Sequence, residues 1–256
     1  MLEKPDIPDE RIISHLQEEY DLRVASLEFL PLGADTGTVV YRVVTDDGTP
    51  YFLKLRKGFQ EILVTVPLFL RSQGIKEIIA PLQTTSKQYW ADFSPYKMIL
   101  YPFVEGKDSF DRELTDDLKR ELGAALKRIH ELKIPPDLWN VIPQEKFSPQ
   151  WRDRWKDLQR LVDDSTFDDP PAAKLAMFIK SRRNDIRRLI GRTEELAAEI
   201  QPKTLDLVLC HTDIHGANVL ITDHDDLYIV DWDNPLLAPK ERDLMFIGGG
   251  IDNIWQ

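Results

Sequence analysis

His211-Thr212-Asp213-Ile214-His215-Gly216-Ala217-Asn218, with Asp231-Trp232-Asp233 downstream, is the stretch that decides the fold. Asn218 follows Asp213 by five residues and Asp231 follows it by eighteen. Residues 205–210, just before the stretch, are mostly apolar and read as a strand. Residues 219–221 and 227–230 are two more short apolar runs, and Thr222-Asp223-His224-Asp225-Asp226 between them is a polar turn. A hairpin centred near His224 sets Asn218 opposite Val230, next to Asp231. Opposed positions bring side-chain roots to about 5 Å. An amide oxygen and a carboxylate then converge, with Asp213 on the loop leading in. Hard oxygen ligands at one point suit Mg²⁺ together with phosphate oxygens.

A lone Asp-x4-Asn is weak, because Asp and Asn are common in turns. The full set, with its strand context and second Asp, is far more specific. It resembles the catalytic loop and metal-binding Asp of protein-kinase-like enzymes, and more closely those of the aminoglycoside phosphotransferase family. The resemblance implies an α+β, bilobal protein-kinase-like fold: an antiparallel-sheet N-lobe with one main helix, and a mostly helical C-lobe carrying the hairpin. It implies ATP and Mg²⁺ as cofactors, Asp213 as catalytic base, and Asn218 and Asp231 as metal ligands. His211 and His215 would brace the loop.

The rest of the chain fits that layout. Residues 8–20 read as an amphipathic helix. Residues 27–32, 39–45 and 50–56 read as strands, joined by Gly33-Ala34-Asp35-Thr36-Gly37-Thr38 and by Asp46-Asp47-Gly48-Thr49. Residues 58–72 read as a helix interrupted by Pro67, and 78–83 and 96–101 complete the sheet. Leu118, Leu122, Leu126 and Ile129 give 114–132 a helical stripe, with Thr115 as its cap. Pro135, Pro136, Pro143 and Pro149 make 134–150 irregular, and helices follow over 149–162 and 171–200. The expected organisation is a nucleotide lobe over 1–101, a connector over 102–106, and a catalytic and substrate lobe over 107–256.

At the nucleotide end, Gly33 and Gly37 let backbone N–H groups approach phosphates, and Thr36 and Thr38 offer hydroxyls. The pattern is not the G-x-G-x-x-G of protein kinases. Taken alone, these residues read better as a plain hairpin turn. Lys54, in Tyr51-Phe52-Leu53-Lys54-Leu55, is either a solvated lysine or a buried cation with a partner. The resemblance makes it the ATP lysine, with Glu61 as its ion-pair partner and Glu77 as the alternative. Tyr101-Pro102-Phe103-Val104-Glu105-Gly106 is similar to the family's connector, in which the Pro102 carbonyl and the Val104 N–H meet adenine. No G-x-x-x-x-G-K-[ST] loop occurs.

Asp231-Trp232-Asp233-Asn234-Pro235 and the segment from Ala238 to Gly249 resemble the spectinomycin phosphotransferase branch. So do Thr212, where many relatives carry Gly, and Leu32-Gly33-Ala34-Asp35. That branch implies O-phosphorylation of a small cationic aminocyclitol or aminoglycoside. Arg242 and Asp243 read as an anchoring ion pair, and Asp233 and Glu241 as solvated or facing a cationic substrate. Trp139, Trp151 and Trp155 lie where the family forms its acceptor pocket, and Trp151 and Trp155, four apart on a helix, read as core. Family members continue through further helices, so a shortened C-terminal lobe is expected.

The chain has 256 residues, 42% hydrophobic and 30% charged, which is enough apolar material for a sizeable core. No apolar run approaches the roughly 20 residues of a membrane helix. The first residues carry no apolar signal region, and Cys210 is the single cysteine. A cytoplasmic protein without membrane or internal disulfide is expected. The net charge of −11 and the lack of a basic patch argue against nucleic acid and agree with a cationic small-molecule partner. Oligomeric state is not readable. Three rivals stay open at this level: a kinase of homoserine, choline, a fructosamine or another metabolite, a nucleotide-binding protein without transfer, and a metallohydrolase using His211, Asp213 and His215.

Overall fold

The computed structural model describes residues 3–33 and 37–246. Helix α1 (Asp9–Tyr20) precedes strands β1 (Val24–Leu30), β2 (Thr38–Thr45) and β3 (Pro50–Arg56). Helix α2 (Ile62–Ser72) and strands β4 (Ala91–Phe93) and β5 (Tyr96–Pro102) follow. The strands form one antiparallel sheet in the order β1-β2-β3-β5-β4. Strand alternation divides its residues between two faces. Val39, Tyr41, Leu53, Leu55, Met98 and Leu100 share one face and bury it with Ile12, Leu16 and Tyr20 of α1. Val40, Lys54 and Ile99 stand in register on the other. The β2–β3 turn closes on Asp47, whose Oδ1 accepts from Thr49 N at 3.0 Å, with Gly48 at φ 84°.

Three local expectations change. Residues 78–83 are not a strand. Pro81 has no N–H for a ladder, and Leu82 N makes a single bond to Leu100 O at 2.8 Å. Ile78 instead joins a core with α2, and the short β4 takes the sheet edge. Pro67 does not end α2, which runs through it with Pro67 buried; packing on both flanks outweighs the lost hydrogen bond. The proline-rich stretch 134–150 is not wholly irregular. It holds α4 (Pro136–Val141), capped by Pro135 with Pro136 in the first turn, where the missing N–H would have had no helical partner.

Strand β6 (Lys107–Asp108) follows the connector, and α3 (Asp116–His130) begins as expected at Thr115, whose side chain accepts from Leu118 N at 3.3 Å. Its face of Leu118, Leu122, Ala125, Leu126 and Ile129 packs with α2 and with strands β8 (Val219–Ile221) and β9 (Leu227–Ile229). β6, β8 and β9 form one small sheet. β7 (Val208–Cys210) pairs with β10 (Leu236–Ala238) in another. The hairpin register is the expected one: Val219 faces Ile229, and Val230 N donates to Asn218 O at 3.0 Å. Gly106 lets the connector touch this hairpin, since a Cβ there would lie 2.7 Å from Ile221 O.

Contacts divide the chain into two units, Met1–Pro143 with Leu207–Gln256, and Gln144–Asp206. The second unit holds α5 (Gln150–Asp164), α6 (Pro170–Ser181) and α7 (Arg183–Ile200) around Val162, Ala176 and Ile179. The single helix expected over 171–200 is therefore two, broken at Arg182 (φ −103°, ψ 9°). Trp155 packs against this core, but Trp151, in the first turn of α5, is 71% exposed. Among the described residues no helix is long and apolar enough to cross a membrane.

Candidate active site

The loop after β7 is held through its backbone. His211 N and Thr212 N donate to the carboxylate of Asp243 at 3.2 and 2.6 Å, and His130 Nε2 lies 2.8 Å from Asp243 Oδ2. The partners of Asp243 are thus loop amides and a histidine, rather than the neighbouring Arg242 that the sequence suggested. Thr212 is left-handed at φ 75°, unusual for a β-branched residue. Its amide on Asp243 and its hydroxyl on Asn234 O (3.0 Å) hold it there.

His211 is buried, and its ring joins the loop to the second loop at Val230. Its Nε2 bonds Val230 O at 2.8 Å, and its Nδ1 accepts from Asp213 N at 3.3 Å. Both ring nitrogens are satisfied only in the neutral Nε2–H tautomer. Burial lowers its pKa, outweighing the opposing pull of Val230 O and Asp243. A ring engaged twice by backbone has no nitrogen left for a metal, which removes His211 from a metallohydrolase site. His215 caps the turn at Gly216–Asn218, with Nδ1 accepting from Ala217 N at 3.2 Å.

Asp213 and Asn218 meet inside this loop. Asn218 Nδ2 donates to Asp213 O at 2.9 Å and lies 3.5 Å from Asp213 Oδ2. Because Nδ2 is committed inward, Oδ1 is the atom Asn218 can give a cation. The Asp213 side chain is 43% exposed, with Oδ2 3.6 Å from His215 Nε2.

The second loop carries Asp231, left-handed at φ 66°. Lys54 Nζ donates to Asp231 Oδ1 at 2.7 Å and to Asp233 Oδ1 at 2.6 Å. Arg56 Nη1 lies 2.8 Å from Asp233 Oδ2 and donates to Thr38 Oγ1 at 2.6 Å. The expected Lys54–Glu61 pair is not formed. Glu61 is the exposed residue capping α2, whose buried face starts at Ile62. Glu77, the alternative, is buried and pairs with Arg128 at 2.6 Å. Asp233 is not solvated but largely buried between two cations. Burial is the largest influence on the Asp231 carboxyl and raises it, yet Lys54 and nearby donors outweigh this and hold it below the usual range. In Asp233 burial, aided by repulsion from Asp231, wins and the carboxyl is raised. Burial and these two carboxylates also push the Tyr101 hydroxyl upward.

Of the other expected positions, Thr38 touches this cluster through Arg56. Gly33 has φ 86°, Gly37 O accepts from Lys57 N at 2.8 Å, and Thr38 stands opposite Arg56. Thr36 lies outside the described residues. Pro102 ends β5 opposite Tyr51, on the strand whose Ile99 faces Lys54, and Val104 follows in the connector. Asn218 Oδ1 and the Asp231 carboxylate are hard oxygen donors of the kind Mg²⁺ takes, whereas both oxygens of Asp233 are engaged by Lys54 and Arg56.

A model of the phosphotransferase enzyme family matches residues 28–248. The chain belongs to that family. It is an enzyme, a small-molecule phosphotransferase with a hydroxyl group as acceptor. Within the family it is similar to spectinomycin phosphotransferase solved with ADP and spectinomycin. The two are 36% identical with a TM-score of 0.90, over 98% of this chain and 76% of that one. An AMP-bound complex of spectinomycin phosphotransferase gives 34% identity and a TM-score of 0.86, over 97% and 77%. Protein StrN of Streptomyces griseus is 28% identical over 235 residues, 87% of this chain and 69% of that protein.

Sequence reasoning missed Arg56 and gave Asp233 and Asp243 the wrong partners. A signal for the first two existed: Lys54-x-Arg56 presents two cations on one strand face, and Asp231-x-Asp233 presents two carboxylates with the same spacing. Asp243 was read as an anchor, but its partners are backbone amides, which no side-chain pattern announces.

Proposed function

We propose that this phosphotransferase moves the γ-phosphoryl group of ATP, with Mg²⁺, onto a hydroxyl of a small cationic aminocyclitol or aminoglycoside of the spectinomycin type. The observation carrying this reading is the convergence of Lys54 with Asp231 and Asp233, beside a loop that fixes Asn218 against Asp213. The ADP and spectinomycin bound to a relative 36% identical to this chain support the nucleotide and the acceptor class. The net charge of −11 agrees with a cationic acceptor.

In this reading residues 1–101 are the nucleotide lobe, 102–106 the connector and 107–256 the catalytic and substrate lobe. Lys54 binds the α- and β-phosphates, and Gly33, Gly37 and Thr38 line them. The Pro102 carbonyl and Val104 N–H bind adenine. Asn218 Oδ1 and the Asp231 carboxylate hold Mg²⁺, which supplies positive charge to the phosphate oxygens. Asp233, tied to Arg56, sets the position of Lys54. Asp213 accepts the hydroxyl proton as the acceptor oxygen bonds to the γ-phosphorus and the β–γ bridging bond breaks, releasing ADP. With a loose transition state, most acceleration comes from alignment and charge neutralisation. An enzyme supplied with ATP in this way works in the cytoplasm.

The test is mass spectrometry of acceptors incubated with enzyme and Mg-ATP: spectinomycin, several aminoglycosides, homoserine and choline. One phosphoryl group added to an aminocyclitol or aminoglycoside is expected. Modification of homoserine or choline alone would replace this acceptor class by another.

A further inference from the structure

We propose that Phe110 is the platform on which a saturated, hydroxylated, amine-bearing ring of the acceptor rests. The inference builds on Asp213 as the base and on the aminocyclitol reading of the acceptor. Phe110 is 74% exposed, yet its surroundings fix it in place. Phe110 N and Asp111 N donate to Asp108 Oδ1 at 2.9 and 3.1 Å. Ser109 N and Oγ donate to Gly216 O at 3.0 and 3.1 Å. Gly216 completes the seat: a Cβ on it would stand 2.6 Å from the Phe110 ring. The chain therefore uses a glycine, a serine and an aspartate to hold one exposed aromatic ring against the catalytic loop.

The ring sits against the loop that carries Asp213. It is within 14° of parallel to the His215 imidazole, with centroids 6.3 Å apart, and Phe246, 44% exposed, meets the same imidazole edge-on at 5.9 Å. His215 Nε2 is in turn 3.6 Å from Asp213 Oδ2. An aromatic corner thus begins one side chain from the proposed base. A lone exposed phenylalanine needs no explanation, but a preorganised ring beside a catalytic carboxylate has a use. Its open face covers the C–H face of a saturated ring while the hydroxyl reaches Asp213. An ammonium on that ring gains from the aromatic π-face and from the nearby negative charge.

Steady-state kinetics on the acceptor that the wild-type enzyme phosphorylates tests this, using Phe110→Ala and Phe110→Trp. Phe110→Ala is expected to raise the acceptor KM by about tenfold, with kcat changed by less than about threefold, as removal of binding shared by ground and transition states requires. Phe110→Trp, which keeps a π-face, is expected to recover most of that loss. An unchanged acceptor KM in Phe110→Ala overturns the platform while leaving the acceptor reading intact. So does a fall in kcat together with a rise in ATP KM, which would make the ring a prop for His215. A wild-type enzyme that phosphorylates no aminocyclitol or aminoglycoside overturns the acceptor reading, and the platform with it.

Discussion

Asp213→Asn is expected to lower kcat by at least about 100-fold while leaving ATP affinity close to wild type. The substitution is nearly isosteric. It spares the main-chain carbonyl through which Asp213 holds Asn218 at 2.9 Å and the amide that reaches His211. The loop therefore keeps its geometry. What is lost is an acceptor for the hydroxyl proton and a charge that aligns that hydroxyl. Lys54 and its two carboxylates lie on the other loop and on β3, so nucleotide binding has no direct dependence on position 213. Single-turnover rates read beside nucleotide titrations separate the two effects. Turnover retained within a few-fold would remove Asp213 from the mechanism.

Asp243→Ala is expected to destabilise the fold by about 4 kcal/mol, because a fully buried carboxylate is deleted and its donors are left unpaired. The donors are His211 N, Thr212 N and His130 Nε2, all within 3.2 Å. Thr212 depends on this anchor to keep its left-handed backbone. Asp243→Asn should recover only part of the loss, since an amide offers one oxygen and sets its own N–H groups against one of the donors. Urea denaturation of the three proteins gives the values directly. A loss below about 1 kcal/mol for Asp243→Ala would mean that solvent or rearrangement satisfies the loop amides.

Local pattern carried much of this architecture. Alternation and a polar turn fixed the register that brings Asn218 beside Val230, and a leucine stripe with Thr115 fixed α3. What failed was either nonlocal or decided by packing. The carboxylates that bind Lys54 lie 177 and 179 residues away, so Glu61, nearby in sequence, was the natural but mistaken partner. Residues 78–83 are apolar because Ile78 enters a core, and a short apolar run does not distinguish that from a strand. Pro136 belongs to a helix because it sits in the first turn, where proline is favourable. The break at Arg182 carries no glycine or proline to announce it. Phe110 was legible as a residue but not as a feature, since its exposure and its seat on Gly216 exist only after folding.

The measurement that bears most directly on the site is the anomalous difference map of crystals grown with Mn²⁺ and a non-hydrolysable ATP analogue. A manganese peak ligated by Asn218 Oδ1 and the Asp231 carboxylate is expected, with Lys54 on the nucleotide phosphates. A peak confined to His130, Cys210 and Asp243, whose ligand atoms lie within 4.8 Å of one another, would contradict this assignment, as would a nucleotide bound away from Lys54.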